Sequence, residues 1–509
     1  MLPRQTAAAL VVLASTFSIP FEARAAKPTV EFSFHHEDVL GTSLQLIVCT
    51  PETAGAERTE RIVLAEIERL RRILSTHDAS SEISRLNVAT GPVFCSAELC
   101  EVLAAYEQWN ARSSSAYNGH LGGLINVWRA AERAGVLPDK TALSTIVRNL
   151  AQPGWTMNSA RRTVTRLGSA PLNVDSLGKG YIIGKALAVA RAQIPEVTGL
   201  LLNIGGDIQT WGLSDAPDGK WRIGVANPAR PEDNAAPLAQ VTLANRAIST
   251  SAAYERGYNF AGKHYSHILD PGTGWPASAV ASATVIALDN AMANALSTIL
   301  CVLQPEEGLR LVRETPGAEC LLVAANGNEY RSGGFAALEL PTNLQAGPAA
   351  ASLWPKGFQV RLDFTLSTPP GGKHPYVAIW IEDAEGKPVR TVTFWASKPK
   401  YFRDMRAWWK IGEKDPALVN AVTRATRTRG HHSVVWDGLD DAGKPLPPGT
   451  YTVNLEVARE HGGHDHTSAK INCGPQPAQA ELVDGREYAQ AKISYGPPPP
   501  VAPTAPTPP

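Results

Sequence analysis

Cysteine is scarce in this chain of 509 residues: there are six, at positions 49, 95, 100, 301, 320 and 473, and none stands in Cys-x-x-Cys spacing. That excludes the dense framework of a small disulfide-stapled domain and the paired-thiolate zinc modules. Cys95 and Cys100 are near enough in sequence to close a small loop, but two buried free thiols are the expected state. Net charge is missing as well: Lys plus Arg and Asp plus Glu each number 48. No basic block marks a nucleic-acid partner and no acidic tail marks a charged one. Internal repeats are absent. Beyond the N-terminus, no run is long and apolar enough to cross a bilayer.

What is present is an apolar fraction of 44%, enough for a large core, and a length that predicts two or three domains. The start of the chain has the three-part layout of an export signal. Arg4 supplies the charge, an apolar stretch runs from Ala7 to Phe21, and Ala23-Arg24-Ala25 is an A-x-A cleavage site before Ala26. An ordinary buried N-terminal helix is the plainer alternative, and Pro20 opposes it. No cysteine follows the cleavage site and no twin arginine precedes it, so the expectation is a signal peptide over residues 1–25 and a protein in the bacterial periplasm.

Residues 31–340 mix helical and strand patterns and predict an α+β domain. From Glu57 to Ser75, the apolar residues Val63, Ile67, Leu70 and Leu74 recur at helical spacing. Leu200 to Ile204 is a buried strand that stops at Gly205-Gly206. Residues 341–357, rich in Pro, Ala and Gly, are a linker. From Phe358 the pattern changes to alternation, with further short strands at Tyr376–Ile381, Thr391–Trp395, Ser433–Trp436 and Tyr451–Val457. This predicts an all-β, immunoglobulin-like sandwich over residues 358–495, followed by an extended proline-rich tail at 496–509.

Three segments of the first domain carry candidate chemistry. The run from Asn173 to Tyr181 places Gly178-Lys179-Gly180 directly before a helical pattern, which suits a phosphate-bearing ligand through backbone N–H groups and a point charge. Its spacing is not that of a Walker loop, and taken alone a turn with a surface lysine explains it better. Leu202 to Asp207 ends a strand on two glycines, where a ligand can approach the backbone or the chain can simply turn. The third segment, Ala247–Arg256 followed by Tyr265–Gly274, gathers hydroxyls, His267 and Asp270 in loop-like sequence.

In order and spacing these segments resemble the ApbE family of FAD:protein FMN transferases. The strings that carry the resemblance are Leu40-Gly41-Thr42, Ser81 to Asn87, Lys179-Gly180-Tyr181, Asn203 to Asp207, Thr250 to Arg256, Ser266 to Gly274 and Ala293 to Thr298. The resemblance implies that a Thr or Ser hydroxyl of an acceptor protein attacks FAD at the phosphorus on the FMN side, and AMP leaves. It implies His267 as the base and Lys179 beside the phosphates. It places Ser81, Asn87, Lys179, Gly205, Gly206, Thr250, Ser251, Tyr254 and Asp270 around FAD. A magnesium ion on the pyrophosphate would be held by the carbonyl of Gly178 and the side chains of Asn294 and Thr298.

The chain departs from the family pattern at several positions. Asn294, Asn118 and Asn173 stand where the family often has Asp, Gly272 replaces an Arg and Ala252 a Gly. Asn294 offers magnesium an oxygen without charge. Two other outcomes use the same site: a periplasmic FAD pyrophosphatase, with water in place of the acceptor hydroxyl, and an FAD-binding protein without catalysis. The expected partner is a periplasmic or membrane electron-transfer protein that becomes a flavoprotein.

The second domain resembles the DUF2271 type of domain found fused to such transferases. His461, His464, Asp465 and His466 are crowded enough for a metal site, although a solvated hairpin loop explains them better. Trp408-Trp409 is either a partner-binding patch or part of the core.

Overall fold

The computed structural model describes residues 29–498, except 231, 233, 255, 341–352, 368–372, 397–398, 416–417, 420–422, 425, 428 and 461. The expected signal peptide, most of the expected linker and most of the expected tail lie outside the described residues. No helix among the described residues is long and apolar enough to cross a membrane.

The first domain is built on one antiparallel sheet of eight strands: β1 (Val30–Val39), β2 (Thr42–Thr50), β3 (Gly199–Ile204), β4 (Asp207–Gly212), β5 (Ala247–Ala252), β6 (Val280–Ala287), β7 (Glu319–Ala324) and β8 (Glu329–Arg331). They lie side by side in chain order, despite long helical insertions between them. Side chains alternate between the two faces of a strand. Leu44, Leu46, Val48, Leu200, Leu202 and Ile204 therefore point to one core, and Cys49, Leu201 and Ile208 to another. Three helices cover the first face: α1 (Thr53–Leu74), α2 (Asp175–Gln193) and α3 (Asn290–Val302). The hairpin Trp221–Val225 and Ala239–Leu243 covers the second.

In α1 the residues predicted at helical spacing, Val63, Ile67, Leu70 and Leu74, are all buried. Helices α2 and α3 touch closely because residue 180 has no side chain. A Cβ there would lie 2.4 Å from the carbonyl oxygen of Asn290. The start of α2 is fixed from the other side by two stacked tyrosines. The Ser176 hydroxyl donates to the Tyr117 hydroxyl at 3.0 Å and lies 2.8 Å from that of Tyr106.

A smaller aromatic cluster supports one end of the domain. Trp128, Leu143, Tyr258, Phe260 and Leu269 pack together. Trp128 also donates its indole N–H to the carbonyl of Gly274 at 2.9 Å, which anchors the segment that carries His267.

The second domain is β-rich, as expected. A four-stranded and a five-stranded sheet share one core, to which Val360, Leu362, Phe364, Ile379, Trp395, Trp436, Leu455 and Tyr495 contribute. The predicted strands are present as Gln359–Leu366, Tyr376–Glu382, Pro388–Trp395, Gly430–Trp436 and Gly449–Ala458. The region read as a loop at His464–His466 instead opens a ten-residue strand, His464–Cys473. Trp408 is fully buried against Phe394 and belongs to the core.

Among the described residues, contacts in two regions join the domains. The loop within the Trp221–Leu243 hairpin reaches the second domain: Glu232 pairs with Arg361, Arg230 donates to Gln359 at 2.9 Å, and Asn234 bonds the backbone of Val435 in both directions at 2.6 and 2.7 Å. At the tip of β1, Thr426 donates to Glu37, and the ring of His374 lies 3.7 Å from the same carboxylate.

Candidate active site

The polar centre of the first domain lies where α2, α3 and the sheet meet. Asp207, the first residue of β4 and buried, receives the Lys179 ammonium on Oδ2 and the Ser249 hydroxyl on Oδ1. Asn294 of α3 donates from Nδ2 to Ser249 Oγ at 3.3 Å. The network continues through hydroxyls: Ser249 to Ser297 at 3.3 Å, Ser297 to Ser251 at 2.9 Å and Ser251 to Thr298 at 3.5 Å. Thr298 donates to the carbonyl of Asn294 at 3.1 Å.

The segment carrying Lys179, expected to precede a helix, is already helical. Lys179 is the fifth residue of α2. The helix gives its side chain a fixed origin, and the ammonium end is partly exposed.

His267 follows the strand Lys263–Ser266, and both its backbone N–H and its ring bond to Arg256. Nδ1–H donates to the Arg256 carbonyl at 3.0 Å, a tautomer that leaves the Nε2 lone pair available. Desolvation holds the imidazole below its ordinary pKa; the bond to the Arg256 carbonyl opposes this, and the positive charges of Arg256 and Lys179 act with the desolvation. The two residues expected to carry catalysis are thus within electrostatic reach of each other, and the imidazole is neutral at neutral pH.

The remaining predicted residues divide. Gly205 and Gly206 form the turn between β3 and β4 with φ of +58° and +90°, a region that favours glycine. A Cβ at Gly205 would meet Thr42 at 2.7 Å, so Leu40-Gly41-Thr42 and the two glycines form one wall. Ser251 and Thr298 are in the hydroxyl network. Tyr254 lies in the turn after β5.

Four residues predicted to touch FAD use their polar side chains on the protein itself. Ser81 is fully buried and caps a helix: it accepts from the Ser84 N–H at 3.1 Å and donates to the Ser75 carbonyl at 2.7 Å. Asn87 uses both ends of its amide on Leu172, at 2.9 and 2.7 Å. Thr250 lies on the opposite face of β5 from Ser249 and Ser251 and bonds Thr284 across the sheet at 2.8 Å. Asp270 closes its own turn, accepting from Gly272 N–H at 2.8 Å and Thr273 Oγ1 at 2.9 Å. The side-chain polar groups of these residues are thus already paired within the protein.

The oxygens of Asp207, Ser249, Ser251, Asn294, Ser297 and Thr298 are the hard donors that magnesium takes. Asp207 is the only acid among them, and it already faces an ammonium. Gly178 lies one residue before Lys179 in α2, and a Cβ there would meet Leu74 of α1 at 3.9 Å. Asn118 and Asn173 are also paired locally, with Leu150 and Asp175.

In the second domain, His464 bonds Glu456 at 2.7 Å, His466 stacks on Trp380, and Asp465 accepts from the backbone of Arg486 and Glu487. His464, Asp465 and His466 thus face different partners, His461 lies outside the described residues, and no group of three potential ligands forms among the described residues. All six cysteines are free; burial pushes the Cys95 and Cys301 thiols up to about 12. A groove of about 660 Å³ runs along another flank of α2, past Lys185, Arg191 and Trp211, and Lys179, His267 and Ser251 line none of it.

A helix-backed antiparallel sheet of this kind is the α+β fold of the flavin transferases. Two solved structures share it. The ApbE protein of Thermotoga maritima superposes with a TM-score of 0.55 and 25% identity over 61% of this chain and 100% of that one. The apo flavinyl transferase ApbE of Pseudomonas stutzeri gives a TM-score of 0.50 at 24% identity, over 62% of this chain and 99% of that one. Residues 40–322 match the model of the ApbE family, and the chain belongs to that family. Residues 358–491 match the family described as "Predicted periplasmic protein (DUF2271)". Among curated relatives, a FAD:protein FMN transferase of Klebsiella pneumoniae is 29% identical over 309 residues, covering 58% of this chain and 84% of that protein. One of Treponema pallidum is 25% identical over 304 residues, covering 56% and 83%.

Proposed function

We propose that this protein is an exported, magnesium-dependent FAD:protein FMN transferase, which links FMN through a phosphoester to a Thr or Ser of an acceptor redox protein and releases AMP. The observation that carries this reading is the meeting of Lys179, the hydroxyls of Ser251 and Thr298, and a neutral His267 in a chain of the ApbE family.

The chemistry follows from these groups. The Lys179 ammonium offsets negative charge on the pyrophosphate. His267 Nε2 takes the proton of the acceptor hydroxyl as its oxygen bonds to phosphorus, and the bond to the AMP oxygen breaks. The Nδ1–H bond to the Arg256 carbonyl holds the ring in the tautomer this step requires. The Gly205-Gly206 turn, bare of side chains, leaves room for close approach of the flavin nucleotide. Asn294, Thr298 and the neighbouring Ser251 are the side chains that would hold magnesium. When bound, the ion neutralises phosphate charge.

The periplasmic location rests on the export-signal layout of residues 1–25 and the description of the second domain's family. Within that domain we read the sandwich as immunoglobulin-like. The Tyr451 hydroxyl donates to the Pro447 carbonyl at 2.6 Å, a bond of the tyrosine-corner kind.

The test is incubation of the full chain with FAD, magnesium and a candidate periplasmic acceptor, followed by mass spectrometry of the acceptor and chromatography of the nucleotides. FMN on the acceptor with equimolar AMP supports the proposal. Free FMN and AMP without labelled protein replaces it with a pyrophosphatase, and intact FAD with a binding protein.

A further inference from the structure

Position 294 carries no charge, so any negative charge in the centre comes from elsewhere. The two acids nearest in sequence to the proposed metal segments are occupied. Asp175 accepts from Thr76 at 2.8 and 3.0 Å, and Asp289 caps α3 through the Met292 N–H at 2.8 Å. Asp207 is different. Its side chain is only 4% exposed, and both its oxygens point into the cluster, one to Lys179 and one to Ser249. Its backbone is a fixed post. It pairs with Ile204 across the glycine turn, and the next residue, Ile208, pairs with Ile248 of β5. Lys179, by contrast, is a long side chain that reaches in from α2. A rigid carboxylate opposite a flexible ammonium sets where the ammonium stands. The enclosed setting strengthens that attraction relative to a surface pair.

We propose that Asp207 is a positioning residue of this site: its carboxylate fixes the Lys179 ammonium against the pyrophosphate, and it carries the negative charge that Asn294 lacks. The inference rests on the transferase reading. It also explains how the centre tolerates an amide at 294. A carboxylate there would lie one hydroxyl, that of Ser249, away from Asp207. The amide instead donates into the network that Asp207 accepts from.

The experiment is a double-mutant cycle on the full chain, read as FAD dissociation constant by flavin fluorescence and as FMN transfer rate at saturating FAD. Asp207→Asn should slow transfer by roughly ten- to a hundredfold, the cost of a misplaced charge. If Asp207 acts through Lys179, Lys179→Met with Asp207→Asn should be no slower than Lys179→Met alone. Asp207→Asn combined with Asn294→Asp, which moves the charge across Ser249, should recover part of the rate. Asp207→Glu, which keeps the charge, should stay closer to the parent. Near-UV circular dichroism of each variant checks the fold. A purely structural role predicts losses from Asp207→Asn and Lys179→Met that multiply in the double variant, and no gain from moving the charge. Either result overturns the proposal, as does a wild-type rate in Asp207→Asn. Parent protein that binds FAD but transfers nothing defeats the transferase reading alone, because the cycle on FAD affinity still measures the coupling. Parent protein that binds no FAD defeats both.

Discussion

Asn87 holds Leu172 by both its backbone groups: Nδ2 donates to the carbonyl at 2.9 Å and Oδ1 accepts from the N–H at 2.7 Å. The amide thus stands in for a strand neighbour, 85 residues away in sequence, and steadies the chain just before α2. Asn87→Ala leaves both backbone groups unpaired. That should cost about 1–3 kcal/mol of stability, measured by urea unfolding. Unchanged stability would return Asn87 to the list of ligand contacts.

His267→Ala should slow transfer about a hundredfold or more, with FAD affinity retained, because a base acts on the reaction more than on the bound ground state. The folded-state pKa of His267 lies below its ordinary value, so the neutral, active form persists to lower pH. The acid limb of the rate against pH should therefore fall below the ordinary imidazole value of about 6.5. A limb above that value, or an unaltered rate in the variant, removes His267 from the mechanism.

Strand alternation separates neighbours in β5. Ser251→Ala breaks the link between Ser297 and Thr298 and should lower transfer, whereas Thr250→Val, on the other sheet face, should leave it close to parent. Single-turnover transfer assays on the two proteins decide this, and the opposite ranking would mean that FAD lies on the Thr250 side.

Two glycines of α2 should respond in opposite directions. Gly180→Ala pushes a methyl group against the Asn290 carbonyl and should destabilise by roughly 1–3 kcal/mol, with FAD binding weakened because α2 carries Lys179. At Gly184 a methyl group meets nothing within 4 Å, and the variant should gain roughly 0.5–1 kcal/mol from lower chain entropy in the unfolded state. Paired thermal scans give the sign of each.

These positions also show what a sequence can convey. Helix α1 was legible because Val63, Ile67, Leu70 and Leu74 keep one face, and the strand Gln359–Leu366 because Val360, Leu362, Phe364 and Leu366 alternate. The strand His464–Cys473 was not, because its inward positions 465, 467 and 469 carry Asp, Thr and Ala and give no run of apolar residues at every second place. In the site, Lys179, His267, Ser251 and Thr298 could be placed from ordered motifs. Ser81 and Asn87 sit in the same motifs, yet their polar groups serve the backbone, and residue type alone does not say which partner a side chain will choose. The motifs alone do not single out Asp207 and Ser249, although both flank named residues. Asp207 closes the Asn203–Asp207 string, and Ser249 is two residues from Ser251. The period of two along β5, a strand where loop-like sequence is expected, groups Ser249 with Ser251 and sets Thr250 apart.

The loop that carries Glu232 and Asn234 belongs to one domain by sequence and to the other by contact. Glu232 is almost wholly enclosed beside Arg361, and Asn234 completes the backbone of Val435 as a neighbouring strand would. Severing the chain at residues 341–357 would take the carboxylate from Arg361 on one fragment and leave Glu232 on the other with Arg230 alone. The halves should consequently melt as one cooperative unit when joined. Expressed apart, each should expose a sticky, half-satisfied edge, so that mixing the fragments restores solubility to both.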